Sequence, residues 1–120
     1  MKKEEMIEAL YSVAKENGYF DGNSRDEDIF YTDCGTEIDE YFLEPEESEK
    51  YIVEQVDQRG SEGDGAEMFL VFKITNKETN EIGYIEYSGR YSSWSDSEYY
   101  KCYAVQPKEV MVIEYVKVQE

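Results

Sequence analysis

The sequence predicts an α+β fold, a single N-terminal helix packed on a mainly antiparallel sheet of about five strands. Two changes of pattern predict it. Apolar residues recur at three- and four-residue spacing in the first 16 positions. From Tyr51 onward the spacing becomes two, and β-branched and aromatic residues dominate. Between these regions lies an acidic stretch, read as loop and short helix. The chain has 120 residues, 40% hydrophobic and 15% aromatic, the size of one domain with matter for one core. Residues 1–120 are therefore taken as a single domain with three parts: the helix in 1–20, the acidic loop and short helix in 21–50, and the sheet in 51–120.

The helix is expected over residues 2–16, with Met6, Ile7, Leu10, Val13 and Ala14 on its apolar stripe and Lys3, Glu4, Glu8, Lys15 and Glu16 elsewhere. Asn17-Gly18 supplies the left-handed stop that ends helices, after which Tyr19 and Phe20 fold back. Asp21 to Asp28 is turn-forming and charged, hence an exposed loop. Ile29-Phe30-Tyr31 is an apolar patch suited to a short strand or a loop anchor. Thr36 and Asp39 resemble a cap and its capping-box acid, so a short helix is expected from Glu37 to Leu43, stopped by Pro45. Its inward residues would be Ile38, Tyr41 and Phe42.

Strands are expected at Tyr51–Asp57, Glu67–Thr75, Ile82–Ser88, Tyr99–Val105 and Glu109–Val118. Residues 76–80 (NKETN) are short enough to close a hairpin, and Gln58 to Ala66 reads as a longer flexible connection. Pro107 falls between the last two strands, where a missing amide donor does least harm. Phe69, Val71, Ile85, Val112 and Tyr115 are expected to pack against Leu10 and Val13.

Charge is the feature least explained by folding. The net charge is −17, and Asp21 to Glu67 holds 17 acids against Arg25, Lys50 and Arg59, a net −14. Such segregation points to a partner of opposite sign.

The residues that carry common chemistries are sparse. Histidine is absent, which removes the commonest general base and metal ligand. Cys34 and Cys102 are the only cysteines and are expected as reduced thiols, too few for a zinc site. Asp21-x-Asn23-x-Arg25 departs from a calcium loop, with Arg25 for an oxygen ligand, Asp26 for the glycine and Thr32 for the bidentate glutamate. The glycine-rich Gly60–Gly65 has two acids and no lysine, so it would repel phosphate. Paired carboxylates must arise by chance among so many acids. No enzyme activity, cofactor or metal is expected. No apolar run reaches the ~18 residues of a membrane span, and the start is charged then amphipathic, so the expected location is the cytoplasm.

Tyr87, Tyr91, Trp94, Tyr99, Tyr100 and Tyr103 form an aromatic cluster in sequence. Stacking on bases would require a basic groove, so direct nucleic-acid binding is not expected. Sheet packing accounts for most of these rings, while Tyr91 and Trp94, in a loop, could anchor an interface.

Three segments carry a resemblance: Val71-Phe72-Lys73, Gly89-Arg90-Tyr91-Ser92-Ser93-Trp94 and Val105-Gln106-Pro107-Lys108-Glu109-Val110. In the order strand, turn, entry to the last strand, Tyr51 to Val116 resembles small proteins encoded by tailed bacteriophages. The resemblance implies a phage origin, brings no activity or functional residues, and leaves out the acidic stretch before Tyr51.

The function expected from charge and resemblance together is that of a phage-encoded acidic inhibitor, presenting a DNA-like surface to a basic nucleic-acid-binding host defence protein. A CRISPR effector or a restriction enzyme would be such a target, which makes the role anti-CRISPR or anti-restriction in the host bacterial cytoplasm. Duplex DNA carries one charge per ~1.7 Å, so the net charge of the stretch corresponds to about 24 Å of duplex. The residues expected to meet the partner are Asp21, Asp26, Glu27, Asp28, Glu37, Asp39, Glu40, Glu44, Glu46 and Glu47, with Tyr91 and Trp94. The alternative is a structural or accessory phage protein whose acidity serves solubility.

Overall fold

Lys3–Glu16 forms the helix α1, whose buried stripe is Met6, Ile7, Ala9, Leu10, Val13 and Ala14. Glu4 and Glu5 in its first turn and Lys15 in its last turn suit the helix dipole. Gly18 takes φ 80, the left-handed stop that the sequence calls for, and Asn17 Nδ2 donates to Val13 O at 2.8 Å. The computed structural model describes residues 1–18, 30, 38, 41–60, 67–90, 98–108 and 114–119, apart from the side chains of Glu98 and Tyr100.

Five strands follow among the described residues: β1 (Glu46–Glu47), β2 (Tyr51–Gly60), β3 (Glu67–Asn76), β4 (Ile82–Arg90) and β5 (Glu98–Val105). They form an antiparallel meander in chain order, β1-β2-β3-β4-β5. The β3–β4 turn forms at the expected place. Asn76 Oδ1 accepts from the amides of Glu78 at 2.9 Å and Thr79 at 3.3 Å, and Asn80 completes the turn at φ 62. With α1 packed across β2, β3 and β4, one face of the sheet is covered.

Four of the expected strands are present, and the differences have physical causes. β2 runs on through Gln58, Arg59 and Gly60, which pair with Leu70, Phe69 and Met68, so these three residues belong to the sheet and not to the expected connection; 61–66 lie outside the described residues. The fifth strand is β1, a pair of glutamates with poor strand propensity that joins through its register with Val53 and Ile52. Glu114 to Val118 are not a strand, and Tyr115 is 93% exposed rather than buried. Strand-forming residues such as Tyr115, Val116 and Val118 mark a capacity to pair, which needs a neighbour to be realised. Glu109, Val112 and the rest of 109–113 lie outside the described residues.

The phase of β3 also differs. Met68, Leu70, Phe72 and Ile74 are buried under α1, whereas Phe69 and Val71 are half-buried on the other face; Ile85 is buried as expected. Successive strand residues alternate faces, so a one-residue error in phase turns the whole set over.

The short helix does not run to Leu43. Tyr41 N donates to Ile38 O at 3.1 Å in a single tight turn, and Phe42 takes φ 56, which no helix accommodates. Ile38 and Phe42 are nonetheless buried and Tyr41 packs partly against the core, as their inward placement requires. Tyr19, Phe20, the loop Asp21–Asp28 and Thr36 lie outside the described residues.

Candidate functional site

Three apolar residues of the acidic stretch reach the core on the covered face of the sheet. Phe30, Ile38 and Phe42 are fully or almost fully buried. The Phe30 and Phe42 rings stack at 6.0 Å, and Phe42 meets Phe72 of β3 edge-on at 5.6 Å. Tyr11 of α1 and Tyr41 complete the cluster at 6.4 and 5.7 Å from Phe30. Such pairs add roughly 0.5–1.5 kcal/mol each beyond burial. Phe30 therefore anchors in the core; Ile29 and Tyr31, the rest of its apolar patch, lie outside the described residues.

Hydrogen bonds add direction to this packing. The buried Tyr87 hydroxyl donates to Phe30 O at 2.6 Å. Gln55 grips the stretch twice, its amide donating to Phe42 O at 2.7 Å and its Nε2 to Tyr41 O at 3.1 Å. A register shift between Gln55 and Asp57 interrupts β2 beside this point. The left-handed φ of Phe42 costs on the order of 1–3 kcal/mol, and ring burial together with the Gln55 bond offsets it.

The described residues include 16 of the 29 acids and 11 of the 12 bases, so the charge excess belongs chiefly to the remaining segments. Eight of the other acids fall between Gly18 and Tyr41, in the sequence around Phe30 and Ile38. They are Asp21, Asp26, Glu27, Asp28, Asp33, Glu37, Asp39 and Glu40, and all lie outside the described residues, as do Tyr91 and Trp94.

Glu44, Glu46 and Glu47 are described and lie in or beside β1, with Glu46 and Glu47 on opposite faces as successive strand residues. Glu44 and Glu47 are exposed and Glu46 is half-buried. Two further acids join them. Glu16, at the end of α1, accepts from the Glu49 amide at 3.2 Å, and Asn17 Nδ2 donates to Glu47 O at 3.3 Å. The corner is not purely negative. Lys77 lies 3.5 Å from the Glu47 carboxylate and donates to Ser48 O at 2.9 Å, while Lys50 sits over the Tyr51 ring at 5.4 Å. Glu16 and Gln55 were not singled out in the sequence, since their parts depend on where α1 ends and where β2 meets Phe42.

The opposite face of the sheet carries a second surface. A groove of about 430 Å³ crosses it between Val56, Val71, Tyr84, Glu86, Val105 and Pro107. Tyr103 there is 41% exposed, and its hydrogen bond to Glu86 raises its hydroxyl pKa. Of the other sequence-marked aromatics, Tyr87 and Tyr99 are buried in the core. Cys102 is a free, buried thiol, its pKa raised by desolvation against the weaker opposing pull of Lys3; Cys34 lies outside the described residues. Among the described residues, no three acidic, thiol or imidazole side chains gather as metal ligands, and no helix is long and apolar enough to cross a membrane.

Comparison with known protein families, curated proteins and solved structures finds no match for this chain.

Proposed function

We propose that the chain is an acidic binding protein of phage origin that occupies the nucleic-acid site of a basic host protein. A CRISPR effector or a restriction enzyme is the class of target expected, met in the host cytoplasm. The observation that carries this reading is the combination of charge with anchorage. A net −14 is concentrated between Asp21 and Glu67, and the same stretch inserts Phe30, Ile38 and Phe42 into the core. Acids that served solubility alone would need neither concentration nor fastening. Fastening reduces the ordering entropy that a charged segment would otherwise lose on binding. Glu44, Glu46 and Glu47 extend the acidic surface to the β1 edge, and the phage origin rests on the sequence resemblance alone.

Capture from bacterial lysate at low salt, repeated at high salt, identifies the partner, and affinity is then measured with and without the partner's DNA or RNA. The expected partner is a nucleic-acid-binding protein whose affinity falls with salt and which nucleic acid displaces. Replacing Asp26, Glu27 and Asp28, or Glu44, Glu46 and Glu47, by the neutral amides should weaken binding and leave the fold intact. Undiminished simultaneous binding of partner and nucleic acid would rule out mimicry. Absence of any salt-sensitive partner would favour the accessory role.

A further inference from the structure

On the open face of the sheet the charge of this chain cancels. Residues paired across neighbouring strands share a face, so the register fixes which side chains stand there. From the row of Ile52 to the row of Arg59 the face carries Glu54, Asp57 and Glu86 against Arg59, Lys73 and Lys101. That is a net of zero in a chain of net −17. The two signs interleave, with Glu54 3.9 Å from Lys73 and Asp57 2.9 Å from Arg59.

Apolar groups that water still reaches lie among these charges. Val56 is 45%, Ile82 49% and Tyr103 41% exposed. Val56, Val71, Tyr84 and Val105 line the groove of about 430 Å³. Tyr103 stands beside it, two residues before Val105 on the same face of β5. The hydrogen bond to Glu86 holds its ring there. A part-exposed ring next to an apolar groove is self-complementary, because a two-fold axis sets each ring against the groove of the other copy.

We propose that this face is the dimer interface of the protein, packed on the same face of a second copy so that Tyr103 of each chain enters the groove of the other.

Charge selects a second copy as the occupant. Two chains of −17 repel unless the surfaces that meet are neutral, and here the acids of one copy can face the bases of the other. A basic partner is drawn instead to the net −14 of Asp21–Glu67, whose anchors Phe30, Ile38 and Phe42 lie on the opposite face. The dimer therefore stands apart from the binding role proposed above. The area is sufficient. Four strands ~4.8 Å apart, with ~3.4 Å per residue from Glu67 to Thr75, give a face of about 19 by 27 Å. Two such faces supply on the order of 1,000 Å², the least that a specific interface needs, so the dimer is reversible. Stacked sheets bury alternate residues in this way, and the strand edges take no part.

Sedimentation equilibrium of the full chain, from micromolar to millimolar concentration, measures the association. Isotope-filtered Overhauser contacts in an equal mixture of labelled and unlabelled chain locate it. The expected result is a reversible dimer whose intermolecular contacts join Tyr103 to Val56 and Val71. Y103S should weaken dimerisation about tenfold or more, the size expected for a buried aromatic anchor. Circular dichroism should not change, since Tyr103 is 41% exposed in the single chain. V56D should act in the same direction, and deletion of residues 114–120 should leave the dimer as strong as before. A monomer throughout the concentration range would overturn the proposal, whether the face is solvated or covered by the chain's own segments. A dimer whose intermolecular contacts lie on α1 or on residues 114–119 would overturn it equally, as would one weakened by neither substitution.

Discussion

The two faces of the sheet are built from the same strands, yet they do different work. Along β3, Met68, Leu70, Phe72 and Ile74 point to the helix and are buried, while Phe69, Val71, Lys73 and Thr75 point the other way and stay half-exposed. The covered face holds α1 together with Phe30, Ile38 and Phe42 from the acidic stretch. The open face holds a groove, the Tyr103–Glu86 contact and the Lys73–Glu54 pair at 3.9 Å. In this chain hydrophobicity alone does not say where stability resides. A residue contributes in proportion to what covers it, and the cover here includes the segment that carries the charge.

Truncating one residue on each face separates the two faces most strongly. Phe72→Ala removes a fully buried ring in contact with Phe42 and Tyr87 and should cost about 3–5 kcal/mol, whereas Phe69→Ala should cost well under half of that. Urea unfolding of both variants checks this, and equal losses would show that the open face is covered in solution. Tyr87→Phe comes next. It keeps the ring but leaves the buried Phe30 carbonyl without its hydroxyl donor, at a cost of about 1–3 kcal/mol read from the same titration.

A smaller effect is expected at alkaline pH. Desolvation raises the pKa of Cys102 and of Tyr51, and Tyr103 is raised first by Glu86. These groups hold their protons longer in the folded chain than in the unfolded one. The stabilisation is therefore fully present below the unfolded thiol value of about 8.5 and is lost as pH rises through the folded values. Thermal melts should show a falling midpoint through this range, and Cys102→Ser should reduce the slope. The smallest effect belongs to the β1 corner, where Glu47→Gln should change stability by under about 1 kcal/mol because its pair with Lys77 is largely exposed. Its consequence should appear in partner binding instead.

Much of the architecture is legible in the sequence because its elements repeat a period. The spacing of Met6, Leu10 and Val13 can satisfy only a helix, and Gly18 ends it for a backbone reason. The phase of β3 is harder, since Met68 to Phe72 are apolar at every position and offer no alternation; Glu67, Lys73 and Thr75 carry the phase, all on the open face. β1 has no signal of its own, being two glutamates after Pro45 that pair only because β2 is beside them. The last expected strand, Glu109–Val118, shows the converse: Glu114–Val118 has good strand chemistry yet takes no strand conformation, and 109–113 lie outside the described residues. For the candidate site, the concentration of charge and the inward turn of Ile38 and Phe42 are legible. The grip of Gln55 on Tyr41 and Phe42 is not, because it depends on a register shift in β2 that no local pattern marks.

Phe30, Ile38 and Phe42 of the acidic stretch are fixed in the core without any partner. Nuclear Overhauser contacts among the rings of Phe30, Phe42 and Phe72 in the free protein test it most directly. With centroids 6.0 and 5.6 Å apart, strong Phe30–Phe42 and Phe42–Phe72 contacts are expected, unchanged when partner is added. Contacts between Phe42 and Phe72 that are missing in the free protein and emerge only with the partner would contradict the claim.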